Sequence, residues 1–506
     1  MERRILRIFV WDSGILCVKQ SKLWLIRRCI MDKKITSNYI LNLIYQCLNV
    51  LSPLVTAPYI SRVLNADGVG IYSYTVTIAC TFSFFASLGA SSYGQKMIAG
   101  ARGDIRSRSA IFWELAALRV FTTVIVAIAY LIFSFYYRTY TIYLLQQSFC
   151  VFTVMLDLSW FFQGIEEFKT VTIRNAIVKF LTISLIFLLV KDSSHVSRYI
   201  LINSLSGIVS ALTFFPFLRG KVVWVPLRDW KLKRHWRGII QFFIPLIATQ
   251  IYGETDKLML GAMVADIAES GYYEQARKII NILIAVLTSI NTVMFPRIAY
   301  LDAKHEQSQI EQLHKETFRV ILLLLIPMIV GLWCVADNFV LWFLGAQFQK
   351  VAELLRFSGL LLIFMSIGNF VGMQYLSPMG KQNEMSVIYL CAAGINLVLN
   401  AFLIAAFHSV GAIVASVAAE MFSCCAQVYL LKKSEYNFKM SKGLHKYILA
   451  AAAMACVILQ MNYILQLEGV IATVLDVGVG AAVYLAALIV LREETVRTLI
   501  RKKREQ

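Results

Sequence analysis

Fourteen times in 506 residues the chain runs through about twenty predominantly apolar residues, and that recurrence restricts what it can fold into. Coiled as an α-helix, a run of this length matches the thickness of a bilayer's hydrocarbon core. Lipid offers backbone N–H and C=O groups no partner, so a span must be a helix or part of a closed barrel. Barrel strands alternate apolar and polar residues, and these runs do not. With 58% hydrophobic and 16% charged residues, the chain lies far from the composition of a soluble domain. The expected fold is an all-α polytopic membrane protein. Its spans fall at 37–60, 69–91, 111–136, 141–163, 170–190, 198–218, 238–263, 271–296, 318–340, 355–378, 384–406, 410–432, 445–466 and 470–491.

The charges test that count. With the N-terminus inside, the inner loops and flanks hold twenty-three Lys and Arg and the outer ones six. Cytoplasmic loops collect positive charge, so the bias supports an even number of spans with both termini in the cytoplasm. It also accounts for the net charge of +19 without any nucleic acid. No GxxxxGK[ST] loop or Gly-rich dinucleotide fingerprint is present. The longest hydrophilic loops, about twenty residues, leave no room for a soluble catalytic domain. The chain therefore reads as a transporter without a cofactor rather than an enzyme. Ten cysteines are scattered with no CxxC, and the six histidines lie in loops or at span ends, so neither a disulfide framework nor a metal site is expected.

The organisation follows from the spans. Residues 1–36 form a basic extension whose apolar patches are too short to cross a membrane; Met31 makes a more natural start, and a peripheral amphipathic helix is the alternative. Residues 37–218 make a first lobe, 219–237 a basic connector with Trp224, Trp230 and Trp236, and 238–432 a second lobe. Two further spans within 433–491 and a charged tail, 492–506, complete the chain. The lobes read as a weak repeat: Gly70 and Gly271 are offset by 201, and Gln163 and Gln374 by 211. Transporters commonly place their site between such repeats. The segment 296–319, with Ile298, Leu301, Ile310 and Leu313 among charges, reads as a surface helix on the cytoplasmic face.

Ionisable groups inside spans are costly and mark function by default. Gln250–Ile279 is the densest such stretch, with Glu254, Asp256 and Lys257 in an apolar run. Arg119 and Lys179 lie eight or nine residues into spans three and five, roughly 12–14 Å deep. Arg62 and Arg297 sit at span ends, Asp157 near the end of span four, and Glu420 near mid-span. The acids Glu254, Asp256, Asp157 and Glu420 are candidates for coupling-ion or gating duty. Glu254 and Lys257, spaced i, i+3, equally suit a structural ion pair.

The order and spacing of several motifs resemble one family. They are Pro58-Tyr-Ile-Ser-Arg62, Gly70-Ile-Tyr72, Asp157-Leu-Ser-Trp160-Phe-Phe-Gln163-Gly, Arg174-Asn175, Asp256-Lys257-Leu-Met-Leu-Gly261, Gly271-Tyr-Tyr273 and Phe295-Pro296-Arg297. The chain looks like the polysaccharide biosynthesis proteins that flip lipid-linked oligosaccharide repeat units, in the multidrug/oligosaccharidyl-lipid/polysaccharide exporter superfamily. The resemblance runs from about Asn38 to Leu491. It implies two six-helix lobes in a V, and transfer of an undecaprenyl-pyrophosphate-linked glycan to the outer leaflet of a bacterial plasma membrane. It also implies membrane lipids as surroundings and a polysaccharide polymerase and chain-length proteins as partners. On that reading Arg119, Lys179, Lys257, Arg297 and Arg62 are the candidates for pyrophosphate and glycan contact. A cation-coupled multidrug exporter, a peptidoglycan lipid-precursor flippase and an integral-membrane polymerase or ligase are the alternatives.

Overall fold

The computed structural model describes residues 16–304, 306–433, 443–494 and 496. Side chains are described from Ser52 onward, except at 245, 248, 249, 251, 252, 296, 299, 302 and 303. The first fifteen residues of the extension, Lys439 and Lys442, and most of the charged tail lie outside the described residues.

All regular structure among the described residues is helical. The long elements are α1 (Leu16–Ser87), α2 (Ala90–Gly100), α3 (Ile105–Tyr136), α4 (Thr141–Leu156), α5 (Ser159–Gly164), α6 (Phe168–Leu189) and α7 (Val196–Leu212). They continue with α8 (Trp236–Met263), α9 (Ala268–Ala303), α10 (Gln307–Phe343), α11 (Lys350–Val371), α12 (Gln382–Lys433), α13 (Leu444–Leu465) and α14 (Gly469–Val490). Eleven of the described helices are long and apolar enough to cross a membrane. That is near the expected fourteen, because two of them, Ser52–Gly100 and Gln382–Lys433, each cover two predicted spans. The breaks inside them fall at Asn65 (φ 61°) and His408 (φ 52°). Beyond His408 the chain folds back, with Gly411 against the carbonyl of Leu403.

The segment 296–319 is not a separate surface helix. α9 continues to Ala303 and α10 starts at Gln307. Ile298, Leu301, Ile310 and Leu313 pack against one another where the two long helices emerge. The apolar period of a surface helix is also that of a face packed on a neighbouring helix.

α1, α3, α4, α6 and α7 pack mainly among themselves, as do α8 to α12, while α13 and α14 pair and lie on α10. The two sets meet mostly where α9 runs along α1. One buried cluster, including Leu64, Val69, Ile280, Leu325 and Leu355, spans that meeting line. Around the outside, Ile128, Ile132, Phe180, Leu188, Phe402 and Ile471 are exposed. A soluble protein rarely leaves so large an apolar surface bare, whereas lipid covers it without cost.

Candidate functional site

The meeting line has a symmetric centre. A Cβ on Gly70 of α1 would stand 2.0 Å from the Ile267 carbonyl oxygen, and one on Gly271 of α9 would stand 2.4 Å from that of Ala66. Ala66 and Ile267 have the same offset of 201 as the two glycines. The contact is thus self-complementary, as in a two-fold dimer interface. Only a residue without a Cβ lets two backbones approach this closely. Ser73 Oγ donates to Glu274 Oε2 at 3.3 Å, again between positions 201 apart.

Glu274 leads into a charge network. Lys257 Nζ lies 3.0 Å from Glu274 Oε2 and 3.5 Å from Glu254 Oε2, and Lys278 Nζ is 3.2 Å from Glu274 Oε1. Lys257 therefore bridges α8 and α9 instead of presenting a free charge. One residue earlier, Asp256 faces the other way and is buried. Its carboxylate accepts from Tyr273 Oη at 2.5 Å, from Asn400 Nδ2 at 2.6 Å and from Ser416 Oγ. Asn400 Nδ2 also donates to Asn396 Oδ1 at 3.0 Å, while Asn400 Oδ1 is buried without a hydrogen-bond partner. The result is a knot of oxygen-bearing side chains around one carboxylate, drawn from α8, α9 and both halves of α12.

A second polar region lies among α2, α5, α6 and α7. A cavity of about 610 Å³ is lined by Asp157, Gln163, Arg174, Asn175 and Lys179. Arg174 is buried and held by three side chains and an aromatic ring. Its Nη1 donates to Thr213 Oγ1 at 2.9 Å and Ser210 Oγ at 3.3 Å, Nη2 donates to Asn175 Oδ1 at 2.5 Å, and the guanidinium lies 3.3 Å over the Phe214 ring. Lys179 is half-buried in the cavity wall, one turn and a residue further along α6. Asp157 accepts from Ser159 N at 3.1 Å and Ser159 Oγ at 2.8 Å. Behind it, Arg119 is only 3% exposed. Arg119 Nη2 donates to the Val154 carbonyl at 2.6 Å, Nη1 donates to Ser91 Oγ at 3.1 Å, and Nη2 stands 3.6 Å from Asp157 Oδ2. Arg119 braces the cavity wall without lining it.

The third feature is apolar. A groove of about 410 Å³ between α9, α10, α13 and α14 is lined by Leu283, Leu324, Met328, Phe339, Met454 and Val477, among others.

These features can be set beside known proteins. A family model described as polysaccharide biosynthesis protein matches residues 35–302, more than half of the chain. The chain belongs to that family. An O-antigen transporter of Shigella dysenteriae is 22% identical over 390 residues, covering 75% of this chain and 95% of that one. The glycan biosynthesis flippase Agl15 of Haloferax volcanii is 27% identical over 172 residues, 34% of this chain and 36% of its own length. Among solved structures, the lipid II flippase MurJ in an inward closed conformation matches with a TM-score of 0.71 at 14% identity, covering 90% of this chain and 99% of that one. An inward-facing multidrug transporter of the MATE family matches with a TM-score of 0.56 at 13% identity, over 76% of this chain and all of that one. The fold of this polysaccharide biosynthesis family member is therefore the MATE-like one, and it is a membrane transporter.

Six of the nine residues singled out in the sequence fall into two groups. Lys179 and Asp157 share the polar cavity, with Arg119 directly behind. Lys257 and Glu254 share the α8–α9 network, with Asp256 in its own knot beside them. Glu420 lies one turn after Ser416 on α12 and is half-buried. Arg62 and Arg297 are exposed and join neither group; Arg62 Nη2 donates to the Trp342 carbonyl. Arg174 and Glu274 escaped the sequence reading as site residues. Arg174 falls only four residues into the expected span 170–190 and counts there as a flanking cation, whereas α6 begins at Phe168 and buries it. Glu274 stands three residues after Gly271, in register with Ser73, and the 201 repeat could have drawn it out.

Proposed function

We propose that this protein flips undecaprenyl-pyrophosphate-linked oligosaccharide repeat units across a bacterial plasma membrane by alternating access. The observation that carries the reading is the polar cavity, which sets Arg174 and Lys179 beside Asn175, Gln163 and Asp157 within membrane-spanning helices. Such a wall offers cations to a pyrophosphate and amides to sugar hydroxyls. Family membership and the named activities of its relatives point the same way. The apolar groove suits the polyprenyl chain, since its lining is almost wholly hydrocarbon. Residues 37–218 and 238–432 act as the moving lobes, joined by the connector 219–237, with both termini cytoplasmic. The Gly70–Gly271 contact then lies at the outer end and seals it, so the conformation described is closed toward the outside. A polymerase and chain-length proteins take the unit onward.

Asp256 is the proposed carrier of a coupling cation. A buried carboxylate beside the amide oxygens of Asn396 and Asn400 and the hydroxyls of Tyr273 and Ser416 makes an oxygen-rich site for a sodium ion or a proton. Glu254 and Lys257 serve as its gating neighbours.

The test uses a deletion strain. Lipid-linked repeat units are extracted, and a glycan-modifying enzyme is added outside spheroplasts. Accumulated units that the enzyme cannot reach, cleared by restoring the gene, are the expected result. Units that accumulate but are accessible would place the block after translocation and refute the flippase reading.

A further inference from the structure

We propose that Asp476 is a proton-linked lock on the apolar groove: a polyprenyl chain occupies the groove when this carboxyl is neutral and leaves when it ionises. The inference rests on the groove reading above and adds a regulator to it.

Asp476 lines the groove from α14 and is fully buried, with 0% exposure. Its Oδ2 accepts from Asn462 Nδ2 on α13 at 3.2 Å. Its Oδ1 is buried without any hydrogen-bond partner. The other polar groups nearby are occupied with each other. Asn338 Nδ2 and Trp342 Nε1, both on α10, donate to Thr473 Oγ1 at 3.0 and 2.7 Å.

The titratable groups facing this region are few. α10 brings Cys334 and Asp337, α13 brings Cys456, and α9 lines the groove with Ile279 and Leu283. Asp337 is paired with Arg356 of α11 on an exposed face. α14 places no other ionisable residue in the groove wall. No cation in this set is placed to hold a carboxylate at Asp476.

An ionised carboxylate with one amide donor among hydrocarbon is strongly disfavoured. Two states relieve it. In one, Oδ1 carries a proton and the wall stays apolar, so a hydrocarbon chain can lie against it. In the other, the carboxylate ionises, draws water into the groove and displaces the chain. The proton has a short way to travel. Asp476 is seven residues into α14, roughly 10 Å from the helix end at 1.5 Å per residue, and Asn462 is near the same end of α13. It comes from the aqueous phase at that end and returns there. Because coupling is reciprocal, chain binding takes up a proton and chain release gives one back.

The experiment uses the full-length protein in lipid nanodiscs and a neutral polyprenol carrying a diazirine, so that the probe has no titrating head. Photolabelling of α10, α13 and α14 is mapped by mass spectrometry between pH 5 and pH 9. In the wild type, labelling falls as pH rises, and the apparent affinity drops about tenfold per unit above the midpoint, the slope for one linked proton. Asp476→Asn labels at all pH values as the wild type does at low pH. Asn462→Ala removes the one donor to the carboxylate and shifts the wild-type midpoint upward, which tests the idea even if the first variant fails to fold. Equal labelling of wild type and Asp476→Asn at every pH would overturn the lock while leaving the groove as a chain site. No labelling of these helices at any pH would remove the groove reading and the lock with it, without touching the spheroplast test of flipping.

Discussion

Replacing Gly70 by alanine should open the seam between α1 and α9. The new Cβ would stand 2.0 Å from the Ile267 carbonyl oxygen and 3.3 Å from the Gly271 nitrogen. Contacts under about 3 Å between such atoms do not persist, so the two backbones must part by about 1 Å or the helices must bend. Overpacking of this sort costs about 1–3 kcal/mol. Alanine also favours the helix over glycine by about 0.8–1.0 kcal/mol, but that gain applies with the seam open or closed and cancels. The net penalty falls on the closed seam alone and shifts the population toward open conformers by roughly 5–150-fold. Spin labels at the exposed Asp67 and Asp266, in a cysteine-free background, read the separation directly. The wild type should give a short distance, Gly70→Ala a longer one, and Gly271→Ala the same change. Gly253→Ala, whose Cβ meets nothing within 4 Å, is the control and should leave the distances unchanged. Distance distributions in Gly70→Ala that match the wild type would refute the argument, because the seam would then have accommodated the methyl group without opening.

Four further outcomes are expected. Lys179→Ala should reduce surface glycan while leaving the melting temperature close to wild type, whereas Arg119→Ala should lower both, since Arg119 braces Val154, Ser91 and Asp157; equal melting temperatures for the two would remove that distinction. Glu274→Gln should destabilise the protein by about 1.5–3 kcal/mol, because Lys278 loses its carboxylate and Lys257 keeps only Glu254 at 3.5 Å, and thermal unfolding measures this. Asp256→Asn should abolish any dependence of flipping on an imposed sodium or proton gradient in proteoliposomes, with the protein still folded. Finally, the connector should loosen in acid. His235, just before α8, is buried against Glu114 Oε2 at 2.5 Å and Tyr93 Oη at 3.0 Å, and burial pushes its imidazole below the ordinary value near 6.5. Its contribution to docking is therefore full above about pH 6.5 and is lost as pH falls below that, so amide protection at 221–237, after correction for the intrinsic pH dependence of exchange, should fall between pH 7 and pH 5, and His235→Phe should flatten the effect.

The fold was legible because lipid leaves the chain few options. Apolar runs of fixed length locate helices, and loop charge orders them. Boundaries at Asn65 and His408 were visible as polar residues between spans. The site was legible only in part. A charge inside a span announces itself, which is why Asp256, Lys257, Lys179 and Arg119 were found. Whether it lines a cavity or braces a wall depends on helix rotation, which sequence fixes poorly, and Arg119 fell on the bracing side. Neutral partners carry still less signal: Asn400, Ser416 and Tyr273 are ordinary residues until the fold brings them to Asp256 from two other helices. Asp476 was passed over because one acid in an apolar run does not lower the hydropathy of a span enough to mark it.

The repeat explains why function should be divided between the two halves. At the offset of 201 the backbones are equivalent enough for Gly70 and Gly271 to meet symmetrically, yet the chemistry along the same register is not shared. Glu254, Asp256, Lys257, Glu274 and Lys278 correspond to Pro53, Val55, Thr56, Ser73 and Thr77 in the first half. At the offset of 211, Asp157, Arg174 and Lys179 correspond to Gly368, Met385 and Leu390, while Gln163 and Gln374 are retained and each lines a cavity, of about 610 and 160 Å³. On the proposed function, a symmetric seam flanked by asymmetric ionisable groups lets cation binding in one half and anionic cargo in the other bias the same motion. Moving the acid across the repeat tests this. Val55→Asp with Asp256→Val should not restore gradient dependence, because Val55 lacks counterparts of Asn400 and Ser416; recovery of coupled flipping in the swapped protein would show that position within the repeat, rather than the surrounding oxygen donors, determines where the coupling ion binds.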